Sequence, residues 1–553
     1  MKRQNAVPVK LMGLLLMVVA LGCRAKTEKK SCCDRIDPRA PTEGRWVALN
    51  EDCTNFIICW YFRSNPPPHL TKAMIRDYAM QYLKGPVTHY FVNPNAGQVA
   101  PFDSRYMDCM WRVHDARKCD CSGFQRYWVE ETRRLAAEGV DAYAELMSVA
   151  KELGVHVWLS MRMNDNHFIK EPDRCAISDF QRNRRDLTRE PGRKIEKGVG
   201  AWHFSQDYSH EEVRNENLKV VRELTERYDA EGLELDFTRH QFYFRPNHER
   251  EDAHLLTDFV RKARGIALQS AAARGRRDYG LAVRVPTTLQ LCRAHGFDVD
   301  VWIREGLVDL VIPTCELNMN DFDLPVEKWL RLAAEAPHPV RIVPGSDVRM
   351  TPESRNADSR RLMTAAEYSG WIDNMYSRGA TGLYFFNHYC IRQSATCRED
   401  MGLSGDPAGL DPQAVRKRPR AYPVSHRDYW QLDGAGFDMS SRQLPVKLNA
   451  NRSIRIYIGS VSEGERCSLK LGFDGALPKS VVDSIRVNGT RPSAIRTGAA
   501  TKEWPGSNVR SVSVVACELP KGAVAPGDNW ISIDGGEGTV QWLAAEVFVN
   551  AGT

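Results

Sequence analysis

Two carboxylates, Glu234 and Asp236, stand two residues apart in the otherwise apolar stretch 232–237. Side chains alternate along a strand, so both carboxylates fall on one face and the three apolar residues 233, 235 and 237 fall on the other. Carboxylates are costly to bury without partners. This pattern indicates a buried strand whose polar face lines a site where charge is used.

The stretch from 45 to about 400 alternates strand and helix patterns. Eight strands separated by helical stretches predict a (β/α)₈ TIM barrel over residues 45–415. The predicted helices cover 124–153, 209–227, 253–273 and 364–378. The predicted strands cover 55–62, 87–95, 155–165, 232–240, 279–286, 308–316, 340–347 and 382–389.

In a barrel of this kind the active site lies at the C-terminal ends of the strands. The predicted strand ends carry Arg, Asn, Asp, Glu and His side chains, a set that suits a polyhydroxylated ligand. Polar residues at strand ends also occur simply because these ends approach water. The predicted substrate-binding residues are Arg63, His89, Asn93, Asn95, Arg162, Asn164, His167, Trp202, Arg239, His240, Arg284, Asn387 and His388.

Cleavage of a glycosidic bond uses one protonated acid and one ionised carboxylate. We predict Asp236 as the ionised partner, with Arg239 and Arg284 as the cations that keep it so. We predict Glu316, which follows an apolar run, as the acid. The alternates are Asp165, Asp347 and Glu234.

The stretch 228–239, Tyr-Asp-Ala-Glu-Gly-Leu-Glu-Leu-Asp-Phe-Thr-Arg, resembles the fourth-strand motif of the glycoside hydrolase-like family 10 proteins, which are bacterial barrel proteins. Glu231 replaces the Asp that usually precedes the glycine. Stretches 202–213 and 298–309 are also similar to this family, so the resemblance covers most of residues 55–400. It implies a carbohydrate substrate and hydrolysis of O-glycosidic bonds, without fixing the sugar or the linkage.

Three classes of function follow from these observations. The first is an exported glycoside hydrolase without a cofactor. The second is a surface lipoprotein that binds glycans without cleaving them. The third is another glycan-acting barrel enzyme, such as a lyase or a metal-assisted hydrolase, which would require His89, Asp165, His167 and Glu234 to converge on a metal. A net charge of +6 spread over 553 residues does not indicate a nucleic-acid partner.

The N-terminal stretch has the features of an export signal. Basic residues precede the apolar run 11–21, and small residues precede Cys23. We predict a signal peptide over 1–23 with lipidation at Cys23, and a flexible tether over 24–44; secretory cleavage without lipidation is the alternative. The protein would then be periplasmic or at the cell surface, and would contact a membrane only through this anchor.

Fifteen cysteines in an exported chain permit disulfides. Local pairing is open to Cys109, Cys119 and Cys121, and to Cys390 with Cys397. Because Cys119-Asp120-Cys121 lacks the Cys-x-x-Cys spacing and a nearby His partner, we expect no metal site there.

The pattern changes after a polar, Pro-containing link at about 400–425. Short alternating stretches separated by turn signals such as Asn488-Gly489 predict an all-β, jelly-roll-like sandwich over residues 426–553. It resembles the accessory sandwiches attached to many glycosidases. Sugar binding and simple packing against the barrel are both open roles for it.

Overall fold

The protein is a closed eight-stranded parallel barrel followed by antiparallel sheets, which confirms the predicted fold class. The computed structural model describes residues 45–119, 121, 123–197, 199–315, 319–350, 361–386, 388, 410–424, 443–448, 452–500, 512–534, 536 and 538–549. The barrel strands are β1 (Trp46–Glu51), β2 (His89–Val92), β3 (His156–Arg162), β4 (Gly232–Asp236), β5 (Gly280–Pro286), β6 (Leu310–Thr314), β7 in two pieces (Arg341–Ile342 and Gly345–Asp347) and β8 (Gly382–Phe386). The barrel closes where β8 pairs with β1.

Seven of the eight predicted barrel strands are present, and the first prediction is wrong. Residues 55–62 do not form a strand, because Asn55–Tyr61 is a helix whose first turn is buried. The true first strand is Trp46–Glu51, fully buried, in the stretch just after the predicted tether. A short apolar run such as 55–62 fits a buried helix as well as a strand, so periodicity does not separate them.

Large aromatic side chains fill the lower part of the barrel. Trp158 packs on Phe91 at 5.5 Å between ring centroids and lies edge-on to Trp46. A Cβ at Gly232 would lie 2.4 Å from the Trp158 ring, and one at Gly280 would lie 2.3 Å from it. The two glycines therefore make room for this tryptophan. Because these side chains fill the N-terminal part of the barrel interior, a site can form only at the C-terminal ends of the strands.

Helices surround the barrel, and most predicted ones are present with shifted ends. The predicted helix 124–153 is two helices, broken near Gly139, whose φ of +75° suits glycine. The helices are α1 (Asn55–Tyr61), α2 (Lys72–Leu83), α3 (Met110–Arg117), α4 (Gly123–Ala137), α5 (Ala142–Glu152), α6 (Asp179–Asn183), α7 (Glu211–Arg227), α8 (Glu249–Ala273), α9 (Leu289–Ala294), α10 (Val299–Arg304), α11 (Val326–Ala333), α12 (Ala365–Ser377), α13 (Pro412–Arg416) and α14 (Lys479–Ser484).

The C-terminal region contains two antiparallel sheets around their own apolar core. The first piece, β9, lies within the stretch that the sequence analysis assigns to the link, and it pairs with the last strand of the chain. The strands are β9 (Arg420–Pro423), β10 (Val446–Lys447), β11 (Arg452–Ile458), β12 (Arg466–Phe473), β13 (Arg486–Val487), β14 (Ala494–Ala499), β15 (Ser513–Leu519), β16 (Gly527–Ile533) and β17 (Thr539–Phe548).

Helix α12 joins the barrel to these sheets. Its Asp373 carboxylate is completely buried and accepts hydrogen bonds from the Tyr422 hydroxyl at 2.9 Å and the Ser460 hydroxyl at 2.8 Å. The Asn374 amide donates to the main-chain carbonyl of Tyr457 at 3.1 Å. Because a buried carboxylate needs such donors, these bonds fix the sheets against this side of the barrel.

Within the described part of the chain, no helix has the length and apolar character needed to cross a membrane. The ten cysteines in that part are free thiols. The predicted lipidation site Cys23 and the predicted pair Cys390 and Cys397 lie outside the described residues.

Candidate active site

A row of charged side chains lies where β3, β4 and β5 end. Arg162, Asp236 and Arg284 are register partners on these three strands, so they project into the barrel at the same level. Asp236 and Arg284 form a two-point ion pair, with Nε to Oδ1 at 2.9 Å and Nη2 to Oδ2 at 2.8 Å. Asp236 is 1% exposed. Of the two guanidinium groups predicted beside Asp236, Arg284 forms the ion pair, whereas the Arg239 side chain contacts His167.

The Asp236 carboxylate has many hydrogen-bond donors besides Arg284. Its Oδ1 accepts from the main-chain N–H groups of Thr238 and Arg239, both at 3.1 Å, and from the Thr238 hydroxyl at 3.2 Å. These contacts tie the end of β4 to the loop that follows it. A carboxylate engaged in this way is well suited to hold the loop and Arg284 in place.

Glu234 lies one level below Asp236 and is completely buried. Its Oε1 accepts from the Ser160 hydroxyl at 2.8 Å and the Tyr384 hydroxyl at 3.2 Å. Its Oε2 has no hydrogen-bond partner among the described residues. Burial and the neighbouring Asp236 charge raise the pKa of Glu234 to about 8. At neutral pH the site thus contains one protonated carboxyl directly below one ion-paired carboxylate.

The raised pKa of Glu234 predicts a pH-dependent stability. When folding raises the pKa of a carboxyl group, the group contributes its full stabilisation at pH values below its pKa in the unfolded chain. For Glu234 this contribution is lost as the pH rises toward its folded-state pKa of about 8. We expect the melting temperature of the wild type to fall more steeply than that of Glu234→Gln between about pH 5 and about pH 8. Thermal melts of both proteins across this range measure the difference. Parallel pH profiles would contradict the raised pKa.

A second charged group lies at the ends of β1 and β3. The Arg162 guanidinium binds the Asp52 carboxylate through Nη2, and its Nη1 lies 3.4 Å from Asp165 Oδ2. Burial acts to raise the pKa of Asp52, but Arg162 outweighs it and lowers that pKa. Burial likewise opposes ionisation of Asp165, but His167 and Arg162 hold its pKa well below the usual range. Both carboxylates are therefore ionised at neutral pH.

His167 links Asp165 to the loop after β4. Its Nδ1 lies 2.5 Å from Asp165 Oδ1, and its Nε2 lies 2.8 Å from Arg239 Nη2. Since a guanidinium only donates, Nε2 is the acceptor and the ring proton is on Nδ1, where it is donated to Asp165. The neighbouring His240 accepts the main-chain N–H of Asn166 at 3.2 Å. Burial and Arg239 hold the pKa of His240 well below its usual value, so this ring is neutral.

A cavity of about 140 Å³ opens beside this second group. Its wall combines charged and polar side chains with three aromatic rings, a combination that suits a sugar. Asp52 is 15% and His167 42% exposed at the side chain, so both are accessible from it. The lining residues are Asp52, Cys53, Thr54, Ala96, Gly97, Phe124, Trp128, Arg162, Asp165, His167, Phe168, Ala176 and Gln181.

Three predicted binding residues are asparagines that hold loops in place. Asn93 donates to the main-chain carbonyl of Ser160 at 2.8 Å, and Asn95 donates to that of Gly97 at 2.5 Å. Asn164 donates to the carbonyls of Gln206 and Phe242 at 3.0 and 2.9 Å. All three are buried. Their amide groups position the loops around the cavity.

Other predicted binding residues lie away from the cavity. His89 is the first residue of β2, at the opposite end of the barrel, where it stacks on Trp46 at 3.5 Å. Arg63 is exposed after α1 and lies over the Trp60 ring at 4.6 Å. Trp202 packs against Phe242, with ring centroids 6.3 Å apart. Because His89 is at the wrong end of the barrel, the metal set of His89, Asp165, His167 and Glu234 does not converge.

The remaining predicted residues are Asp347, His388, Glu316 and Asn387. Asp347 is buried at the end of β7, where its Oδ1 accepts the main-chain N–H of Arg349 at 2.9 Å. His388 is completely buried, with Nε2 3.0 Å from the Tyr368 hydroxyl. Glu316, the predicted acid, and Asn387 lie outside the described residues.

Asp52 is the cavity carboxylate that the sequence analysis misses, and the ring-bearing residues Phe124, Trp128 and Phe168 are missed as well. Asp52 directly follows β1 (Trp46–Glu51), whereas the sequence pattern predicts the first strand at 55–62. The available signal was the stretch Trp-Val-Ala-Leu-Asn-Glu-Asp at 46–52, an apolar run that ends in two acids. In β4 the two acids instead alternate with apolar residues.

No family model matches the chain, and no curated protein matches it. The solved structures to which it is similar include several named as glycoside hydrolases. The PgaB (BpsB) glycoside hydrolase domain from Bordetella bronchiseptica is 11% identical, with 67% of this chain and 98% of that chain covered and a TM-score of 0.40. The α-L-fucosidase isoenzyme 2 from Paenibacillus thiaminolyticus is 10% identical, with 68% and 51% covered and a TM-score of 0.39.

A chitobiase from Flavobacterium johnsoniae is 9% identical, with 68% of this chain and 50% of that chain covered and a TM-score of 0.39. The chain thus spans about half of the length of the fucosidase and chitobiase structures. The activity proposed below rests on the cavity and its carboxylates and not on these similarities.

Proposed function

We propose that this protein is a glycoside hydrolase that cleaves O-glycosidic bonds of an oligo- or polysaccharide at the C-terminal end of its barrel. The observation that carries the proposal is one cavity lined by two ionised carboxylates, Asp52 and Asp165, together with the rings of Phe124, Trp128 and Phe168. Aromatic faces stack on sugar rings, and carboxylates stabilise the positive charge of an oxocarbenium-like transition state.

The two carboxylates have different roles in this proposal. Asp165 Oδ1 accepts hydrogen bonds from both the main-chain N–H and the ring of His167, so this oxygen is not free to act on a substrate. Asp52 Oδ1 accepts only from uncharged donors, which are the weakly donating Cys53 thiol at 3.2 Å and the N–H and hydroxyl of Thr54 at 3.4 and 3.5 Å. Asp52 is therefore the carboxylate that acts at the anomeric carbon, as nucleophile or base, and Asp236 positions Arg284 and the β4 loop. Glu316 stays the proposed acid.

The resemblance of residues 228–239 to the glycoside hydrolase-like family 10 motif supports the same class of substrate. Export and a lipid anchor at Cys23 are part of the proposal and rest on the N-terminal sequence.

One observation favours the alternative, a protein that binds glycans without cleaving them. Both carboxylates of the cavity are ionised, and the protonated Glu234 does not line it. Among the described residues the cavity thus lacks the protonated acid that hydrolysis needs. Binding alone requires only the aromatic rings and the hydrogen-bonding groups.

The test is product release by the full chain from a panel of neutral, uronic-acid and sulfated polysaccharides, measured as new reducing ends. Binding to the same panel is measured separately by retardation in gels that contain each polysaccharide. We expect new reducing ends from at least one polysaccharide. Retardation without release would favour the binding protein. A chain that shows no release and no retardation would contradict both functions.

A further inference from the structure

Three potential metal ligands lie close together beside the candidate active site, and a fourth contacts one of them. His114 is on α3, Cys119 follows that helix, and Cys121 shortly precedes α4. The ligand atoms of these three residues all lie within 4.8 Å of one another. Cys175, from the loop after β3, brings its Sγ to 3.3 Å from the Cys121 Sγ. The fold thus brings a fourth potential ligand, 54 residues away in sequence, into contact with Cys121.

The environment of this cluster suits a metal ion. His114 Nδ1 is shielded from solvent and has no hydrogen-bond partner among the described residues. Cys119, Cys121 and Cys175 are buried. Three thiolates and one imidazole around a divalent cation carry a net charge of −1, and the Arg117 and Arg174 guanidinium groups lie within electrostatic range of Cys119 and Cys121.

We propose that His114, Cys119, Cys121 and Cys175 form a structural zinc site. Zn²⁺ prefers four tetrahedral nitrogen and sulfur ligands, and Cys₃His is one of its common structural sets. Binding releases the three thiol protons to solvent and forms three Zn–S bonds and one Zn–N bond. The Cys119 thiol, which now contacts the Asp173 carbonyl at 2.8 Å, turns from that carbonyl to the metal.

The alternative to a metal site is a disulfide bond between Cys121 and Cys175. Their sulfur atoms are 3.3 Å apart, whereas a disulfide needs about 2.0 Å. Two sulfurs on one tetrahedral zinc lie about 3.7 Å apart, given Zn–S bonds of about 2.3 Å. A disulfide would also leave His114 Nδ1 and Cys119 unused. The metal uses all four groups.

The site would fix one wall of the candidate active site. Ala176, next to Cys175, lines the cavity, and so do Phe124 and Trp128 of α4, the helix that begins two residues after Cys121. A zinc ion would therefore tie the loop after β3 to the start of α4. Arg117 at the end of α3 already holds this loop, since it donates to the Ile177 carbonyl at 2.7 Å.

The test uses the full chain purified with added Zn²⁺ and then freed of loose metal by gel filtration. We expect about one zinc per wild-type chain by mass spectrometry of the metal. The zinc content of Cys175→Ser and of His114→Ala should be lower by about tenfold or more. Cys517→Ser, which removes a buried thiol in the C-terminal sheet, is the matched control and should keep the zinc.

A second measurement does not depend on folding of the variants. Co²⁺ added to the reduced wild type should give the intense visible bands and thiolate charge-transfer band of a tetrahedral cobalt site, and Zn²⁺ should remove them. A chain that takes up no metal and shows a Cys121–Cys175 disulfide by peptide mapping would overturn the proposal. Equal zinc in wild type and both ligand variants would also overturn it.

Discussion

Arg284→Met should destabilise the barrel by about 3–5 kcal/mol, the usual cost of leaving one member of a buried ion pair alone. The methionine has a similar length but donates no hydrogen bond, so Asp236 loses the two-point contact at 2.9 and 2.8 Å. Asp236 then stays 1% exposed beside Glu234, with only the Thr238 and Arg239 donors. The measurement is the shift in the thermal transition of the barrel.

The chain offers a matched exposed pair as the control. Arg261 binds Glu305 through Nε and Nη2 at 2.8 and 2.7 Å, the same two-point geometry, but both side chains are exposed. Arg261→Met should cost less than about 1 kcal/mol. The double variant Asp236→Leu, Arg284→Met should recover much of the lost stability, because neither charge is then left alone. Equal shifts for Arg284→Met and Arg261→Met would show that burial of the pair does not matter.

The barrel could be predicted because its strands are buried on every side and end in polar residues. Strand β4 shows why this works: its even positions carry Glu234 and Asp236, and its odd positions are apolar. The parallel register then brings Asp236 level with Arg162 and Arg284, which were both predicted for the site. Alternation and strand ends are local properties, so a sequence displays them directly.

The position of a residue along its strand is less visible in the sequence. His89 was predicted at the carboxyl end of a strand over 87–95, but β2 begins at His89 and ends at Val92. A strand end that is misplaced by three or four residues moves a side chain to the other end of the barrel. The misassigned first strand hid Asp52 in the same way.

Contacts between distant segments are beyond any local pattern. The spacing Cys-x-Cys at 119–121 is not that of a zinc site, and the residue that completes the set, Cys175, comes from the loop after β3. His114 is five residues before Cys119, on a helix that orients its ring toward the thiols. Only the folded arrangement of α3, α4 and that loop shows the four groups together.

Asp52→Asn should lower kcat by about 10²–10⁴-fold on the substrate that the panel identifies, if Asp52 acts at the anomeric carbon. The amide keeps the size and one acceptor oxygen but removes the negative charge and the basic lone pair. KM should change little, because the aromatic rings and His167 still line the cavity. The initial rates of wild type and variant give both constants.

Two controls separate loss of chemistry from loss of structure. Asp77→Asn makes the same charge change on the exposed face of α2 and should leave kcat unchanged. The melting temperature of Asp52→Asn should fall only modestly, since Arg162 keeps Asp165 as a partner at 3.4 Å. Asp236→Asn, in contrast, should lower melting temperature and activity together, because Arg284 loses its buried partner. A wild-type kcat in Asp52→Asn would show that another carboxylate acts in the reaction. Asp236 would then again be the first candidate for the ionised catalytic carboxylate.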